Sequence, residues 1–393
     1  MSVSSAGAEA NAGSGRGGVV VSANGRYVAF VSHASNLVPG DGNGVQDVFV
    51  RDTRTNTTER VSVSSAEFEA DDRSNAQALA ISPGGRYVAF TSFATNLASR
   101  DDDSICAPDP CPDVYLRDRA AGVTRLLVPF AGVPMPRAMV VSDGARFYAY
   151  DTSVNGNVVR CRRSPKRCRD VSVLPPSVKV DEADPNSFLG GMSVNGRFVL
   201  FQKIGFNESP HPASMLAGGV FVRDVPAGVT HIISKHPRDG AGGFSARGRL
   251  VLFTSKRARV DGDTNHLGDV FVRNRTTGRI RRISVSSSGH QANGPSSGIG
   301  ISVDGRFCLF ASAATNLVAG DTNGARDIFL RDRRLGTTVR VDVSSSGGQS
   351  NRAAGMSALS ADGRWVAFTS RATNLIMLDA NAAPDAFIRG PLR

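Results

Sequence analysis

The chain has 393 residues and a formal net charge of +11, from Lys+Arg 46 against Asp+Glu 35, with 40% hydrophobic and 21% charged residues. That length suffices for a large core, and the balance excludes both disorder and a collagen-like chain. No window approaches the roughly 18 apolar residues of a membrane span, and the N-terminus lacks the basic segment and apolar stretch of a signal peptide. The basic excess permits a polyanionic partner without requiring one. Gly 42 and Pro 19 with few helical stripes predict short strands and tight turns.

One phrase, Ser-x-x-Gly-Arg-aromatic-x-x-Phe, recurs along the chain. It reads SANGRYVAF from Ser22, SPGGRYVAF from Ser82, SVNGRFVLF from Ser193, SARGRLVLF from Ser245, SVDGRFCLF from Ser302 and SADGRWVAF from Ser360, with a degenerate copy, SDGARFYAY, from Ser142. The arginines Arg26, Arg86, Arg146, Arg197, Arg249, Arg306 and Arg364 lie 60, 60, 51, 52, 57 and 58 residues apart, the period of a four-stranded blade with one long loop. Strand A ends at the repeat Ser, and strand B alternates as in RYVAFTS with the period of two of a pleated strand. Strand C is the phrase DVFVRD or its variants at Asp47, Asp113, Asp269 and Asp327, and strand D follows a turn such as Arg275 to Gly278. The last unit stops at its third-strand phrase, Asp385 to Arg389, while MSVSSAGAEANAG from Met1 matches ISVSSSGHQANGP from Ile283. The expectation is therefore an all-β fold, one seven-bladed β-propeller of four-stranded antiparallel blades over residues 1–393. Its ring would be closed by the N-terminal strand, with residues 2–5 completing a last blade of residues 352–390.

These phrases resemble the TolB-like, WD-type β-propeller repeats of bacteria, in which S-x-DGR-aromatic-VAF and D-V-F-V-R-D recur, and the resemblance covers essentially the whole chain. It implies the fold; for function it implies a scaffold of a kind that serves in binding, in envelope machinery and, with additions, in catalysis. The amino-terminal domain that precedes the propeller in TolB has no counterpart in these residues, so a Tol-system role is not expected.

Most aromatics fall at repeat positions of strands B and C and are expected in the core. A ligand-stacking role is left to Phe68, Phe93, Phe130, Tyr148, Phe188, Phe206 and Phe244. The repeat arginines and their strand C counterparts recur beside Asp52, Asp118, Asp224 and Asp332, which predicts ion pairs. A denser basic cluster surrounds Arg162, Arg163 and Arg167. These three are candidate binding residues for an acidic group, against the bland reading of a solvated turn. Cys106 and Cys111, and Cys161 and Cys168, are local pairs expected to close as disulfides, which would make the protein extracytoplasmic, secreted or periplasmic, with Met1 opening a mature chain.

Function is expected on the face formed by the B–C and D–A connections, the longer loops. Four B–C loops carry Asp-x-Asn-x-x-x-Asp: Asp41, Asn43, Asp47; Asp263, Asn265, Asp269; Asp321, Asn323, Asp327; and Asp379, Asn381, Asp385. Hard oxygen donors at alternate positions could hold calcium, the one cofactor considered, and Asx-turn chemistry is the stronger competing account. Asn11, Asn75, Asn186, Asn293 and Asn351 recur before strand A and could form a polar binding ring. A non-catalytic scaffold for a protein or glycan partner is the favoured function, with a monomer expected and nucleic acid not expected. The alternative is a propeller-fold polysaccharide lyase or metal-dependent hydrolase built on His211, His236, His266 and His290, with His33 on the same face.

Overall fold

A computed structural model describes residues 2–98, 111–129, 136–152, 156–175, 178, 187–204, 218–376 and 379–392. Antiparallel sheets succeed one another along the chain. The first is β1 (Ser14–Val21), β2 (Tyr27–Ser32), β3 (Asp47–Asp52) and β4 (Thr57–Arg60); the second is β5 (Ser74–Ile81), β6 (Tyr87–Ser92), β7 (Asp113–Asp118) and β8 (Val123–Val128). The third is β9 (Met139–Val141), β10 (Phe147–Asp151), β11 (Val158–Arg162) and β12 (Arg167–Asp170); the fourth is β13 (Ser187–Met192), β14 (Phe198–Lys203), β15 (Gly219–Asp224) and β16 (Val229–Ser234). The fifth is β17 (Gly240–Phe244), β18 (Leu250–Ser255), β19 (Asp269–Asn274) and β20 (Ile280–Arg282); the sixth is β21 (Ser296–Ile301), β22 (Phe307–Ser312), β23 (Asp327–Asp332) and β24 (Thr337–Arg340). The seventh has three strands, β25 (Ala354–Leu359), β26 (Val366–Ser370) and β27 (Asp385–Arg389). Seven such sheets are the blades of a seven-bladed β-propeller, as the repeat predicts. Among the described residues no helix is long and apolar enough to cross a membrane.

The chain divides into two compact units, Met1–Ala145 with Val343–Arg393, and Arg146–Asp342. In the first unit, Ser2 meets the last sheet through its hydroxyl on Asp385 Oδ1 at 2.7 Å and its amide on Ala386 O at 3.3 Å. Ser62 makes the same hydroxyl bond to Asp47 in the first sheet. Of residues 2–5, Ser2 bonds to the start of β27, while Val3 and Ser5 bond to Thr58 and Ser4 to Arg51 of the first sheet, and the last sheet has three strands rather than the expected four.

The repeat residues have local reasons. The repeat Ser is buried, and its hydroxyl accepts the amide of the aromatic five residues on, as in Tyr27 N to Ser22 Oγ at 2.9 Å and Phe307 N to Ser302 Oγ at 2.9 Å. Strand B and C aromatics stack across the ladder, with centroids 6.0 Å apart for Phe30 and Phe49, 5.4 Å for Phe201 and Phe221 and 5.7 Å for Phe310 and Phe329. These six are fully buried, as expected of core residues, whereas Tyr27, Phe147, Tyr150 and Trp365 are only partly buried.

The arginines divide the labour more sharply than the sequence suggests. Arg26, Arg86, Arg197 and Arg306 pair with Asp52, Asp118, Asp224 and Asp332 at 2.7, 2.7, 2.8 and 2.6 Å. The guanidinium bond holds Asp118 and Asp224 below the usual carboxylate range. The strand C arginines donate to backbone carbonyls, Arg51 to Ser4 O, Arg117 to Ser64 O, Arg331 to Ser286 O and Arg389 to Ser344 O, and Arg117 also pairs with Glu67.

Candidate functional site

The Asp-x-Asn loops build Asx turns. Asn43, Asn265, Asn323 and Asn381 each accept the amide two residues on, at 3.1, 2.9, 2.9 and 2.7 Å. Asn43 also donates to Ala70 O, Asn265 to Ala292 O and Asn381 to Ala10 O, each on the D–A connection. The flanking carboxylates then meet a strand D arginine. Arg60 lies 3.1 Å from Asp41, 3.5 Å from Asp47 and 2.7 Å from Glu69. Arg340 lies 3.4 Å from Asp321 and 3.3 Å from Asp327, and Arg282 3.9 Å from Asp269, with Gln291 bonded to both Asp263 and Asp269. A guanidinium therefore takes the charge-neutralising place at three of the four loops. Burial, with the Asp47 charge adding to it, still pushes the Asp41 carboxyl up to about 6.

The fourth loop differs. Glu9, Asp379 and Asp385 bring carboxylate oxygens within 4.8 Å of one another. Among the described residues no cation pairs with any of the three. Asp385 is 3% exposed and its Oδ2 has no hydrogen-bond partner, the nearby Asn381 amide being spent on Ala10 O. Glu9 Oε1 is likewise shielded and unpartnered. Burial raises the Asp385 pKa, and the Asp379 and Glu9 charges add to it. Glu9 is absent from the sequence motif, although it recurs with Glu69, Gln291 and Gln349 at one repeat position.

The asparagine ring is a set of loop staples. Asn11 bonds Ser35 and Asn36, Asn293 bonds Thr315 and Asn316, and Asn351 bonds Thr373 and Asn374. In the second blade Asp71 takes this role, through Thr95 and Asn96, and Asn75 instead accepts the Gln77 amide. Asn186 lies outside the described residues, as do His211, Cys106, Phe130 and Phe206.

The described candidate histidines sit on separate connections of the expected face, and His231 lies within β16. His33 and His266 are exposed in B–C loops, and exposed His290 shares a 2.9 Å hydrogen bond with Ser288 Oγ. His236 Nδ1 accepts the Arg238 amide and lies 3.7 Å from Asp239; burial, then Arg257, lowers its pKa. Among the described residues no histidine joins a group of three metal ligands.

Two surfaces remain. On the D–A connection of the first sheet, Phe68 is 70% exposed and borders an open groove of about 700 Å³, lined also by Ser64, Ser65, Asn96, Leu97 and Thr124. At the opposite strand ends of the third sheet, Arg162 and Arg167 line a cavity of about 270 Å³, together with Arg146, Arg160, Arg169 and Phe147. Arg163 does not line it. Cys161 and Cys168 form the expected disulfide, and Cys111 is also disulfide-bonded.

Geometry of this kind defines a β-propeller with loop-borne polar sites. No protein-family model and no curated protein sequence matches the chain. Among solved structures it is similar to the β-propeller domain of the Trilobed protease from Pyrococcus furiosus, with 8% identity and TM-score 0.57 over 94% of this chain and 93% of that one. It is also similar to Pyrococcus horikoshii acylaminoacyl peptidase, with 9% identity and TM-score 0.52 over 91% of this chain and 49% of that one. TolB from Acinetobacter baumannii aligns at 14% identity and TM-score 0.41 over 77% of this chain, which spans 61% of that protein. The comparisons agree with the propeller expected from the repeat.

Proposed function

We propose that the chain is a non-catalytic binding scaffold that recognises a protein or glycan partner through the face of the B–C and D–A connections. The observation that carries this reading is Phe68, a large aromatic left 70% exposed beside a groove whose wall also holds hydroxyls, an amide and aliphatic carbons. Arg125 adds a guanidinium to that wall, and a flat apolar ring flanked by hydrogen-bonding and charged groups suits a sugar face or a partner side chain. Phe68→Ala should weaken partner capture about tenfold, the loss of roughly 1.4 kcal/mol expected for one stacked anchor, with thermal stability unchanged. Glycan-array or pull-down titration checks it; a variant that captures its partner as well as the parent overturns the reading.

Calcium belongs to this reading at the last loop, where Glu9, Asp379 and Asp385 supply carboxylates without a guanidinium. Bound there, a divalent cation would tie the N-terminal segment to the last blade. Millimolar Ca²⁺ against EDTA should raise the melting temperature, by about 2.7 kcal/mol of added stability at a hundredfold excess over Kd. Asp379→Asn should abolish that response, and an EDTA-insensitive parent protein would refute the site. The Cys161–Cys168 disulfide supports an extracytoplasmic location.

A further inference from the structure

In four blades the repeat arginine meets an aspartate one strand away, and the register explains it. Tyr27 pairs with Asp52, Tyr87 with Asp118, Phe198 with Asp224 and Phe307 with Asp332, which sets the arginine before each aromatic against the carboxylate. The third blade breaks this rule by a change of sign: Phe147 pairs with Arg162. Arg146 therefore faces a second guanidinium where those four blades hold its counter-ion.

The rest of the hairpin concentrates the charge. Arg160 pairs with Arg169 and Arg162 with Arg167, so all four stand on one face, and the intervening pair Cys161 and Cys168 stands on the other, joined by the disulfide. Together with Arg146 they line the cavity of about 270 Å³, which is closed by Phe147, Val225 and Pro226 and has no carboxylate in its wall. The Arg160 guanidinium stacks 3.9 Å over the Phe147 ring. Arg160 Nε and Arg162 Nε are shielded from solvent and have no hydrogen-bond partner. Among the described residues none of the five arginines forms an ion pair. Guanidinium groups stay charged in any protein environment, so their mutual repulsion has no relief through deprotonation.

We propose that this cavity is an anion site for a tetrahedral oxyanion, a sulfate or phosphate ester, whose charge replaces the missing aspartate. Forked donors on several sides match tetrahedral oxygens, and Phe147, Val225 and Pro226 give the carrier of the ester an apolar wall. The site lies at the A–B and C–D turns, at the other ends of the strands from the loop face, and does not depend on the partner reading above.

The test is binding at fixed ionic strength, which separates a site from general screening. Thermal unfolding and calorimetric titration would use sodium sulfate, sodium phosphate, glucose 6-sulfate and glucose 6-phosphate against chloride. The expected result is saturable stabilisation by the tetrahedral anions, with the esters binding more tightly than the free ions. Equal affinity for free ion and ester would overturn the ester assignment, and no difference from chloride would overturn the site. Arg162→Asp restores the pair that four other blades use. It should bind sulfate at least tenfold more weakly and, in sulfate-free buffer, melt no lower than the parent. Should that variant fail to fold, Arg167→Gln at the exposed hairpin end tests the same loss. A full sulfate response in a folded variant refutes the proposal.

Discussion

Replacing Asp342 by serine should stabilise the protein at neutral pH and remove part of its pH dependence. In the first and fifth blades the amide that opens strand C donates to a serine hydroxyl, Val48 to Ser62 and Val270 to Ser284, each at 3.0 Å. That hydroxyl in turn donates to the buried Asp47 or Asp269, at 2.5 Å in each case. The sixth blade keeps the amide bond, Ile328 N to Asp342 Oδ1 at 3.0 Å, but sets a second carboxyl beside Asp327, and both residues are completely buried. Burial first, and the Asp327 charge second, push Asp342 up to about 8. Between about pH 4, the ordinary range of an aspartate, and about pH 8 the folded chain thus holds a proton that the unfolded chain has released. Stability from this group is complete at the acid end of that window and is lost as pH rises through it. Serine carries no such proton and restores the hydroxyl donor, while Arg340 stays with Asp327. The gain at pH 8 should be on the order of 5 kcal/mol, about 1.4 kcal/mol for each pH unit of that window, shrinking toward nothing near pH 4. Denaturant unfolding of both proteins at pH 5 and pH 8 measures it. Parallel losses of stability in parent and variant would show that Asp342 is not the group responsible.

The parts of the molecule that the sequence discloses are those set by neighbours in the chain. The repeat serine, the turn glycine and the Asx turns of Asn43, Asn265, Asn323 and Asn381 are local chemistry, so spacing alone exposes them. Contacts across the ladder are different. Nothing near Asp41 or Asp321 in the chain announces that Arg60 or Arg340 will lie on it, because strand D delivers those arginines from the next turn of the meander. The pairing of Asn75 with Asn11 fails for the same reason: the staple forms three residues before the first residue of strand A, Ser14 or Ser74, and that offset selects Asp71. Arg162 stands out as part of a basic run, yet its meaning rests on the Phe147–Arg162 register, and the third-blade phrase VVRCR bears little likeness to DVFVRD. Arg146 and Phe147 do not stand out as candidate ligands because they occupy repeat positions, where four other blades pair the arginine with an aspartate.

Substituting the repeat glycine should cost the fold more than any single loop change. Gly85 has φ +74 and lies against the face of Tyr27, so that a Cβ there would meet the ring at 2.1 Å; Gly25, at φ +75, would meet Trp365 at 2.1 Å. Two separate penalties follow for alanine: about 1–2 kcal/mol for the left-handed backbone and about 1–3 kcal/mol for forcing the ring out of its packing. The ring has little room to yield, since Arg26 and Arg119 both stack on Tyr27, at 4.7 and 4.4 Å. Gly85→Ala should therefore lower stability by about 2–5 kcal/mol. The degenerate third copy provides the converse test, because Ala145 already occupies this place at φ +50. Ala145→Gly relieves the left-handed strain and gives back part of the gain as chain entropy, for a net stabilisation of about 0.5 kcal/mol. Thermal melts of the two variants should move in opposite directions. A Gly85→Ala protein as stable as its parent would mean that the glycine is retained for something other than the ring it carries.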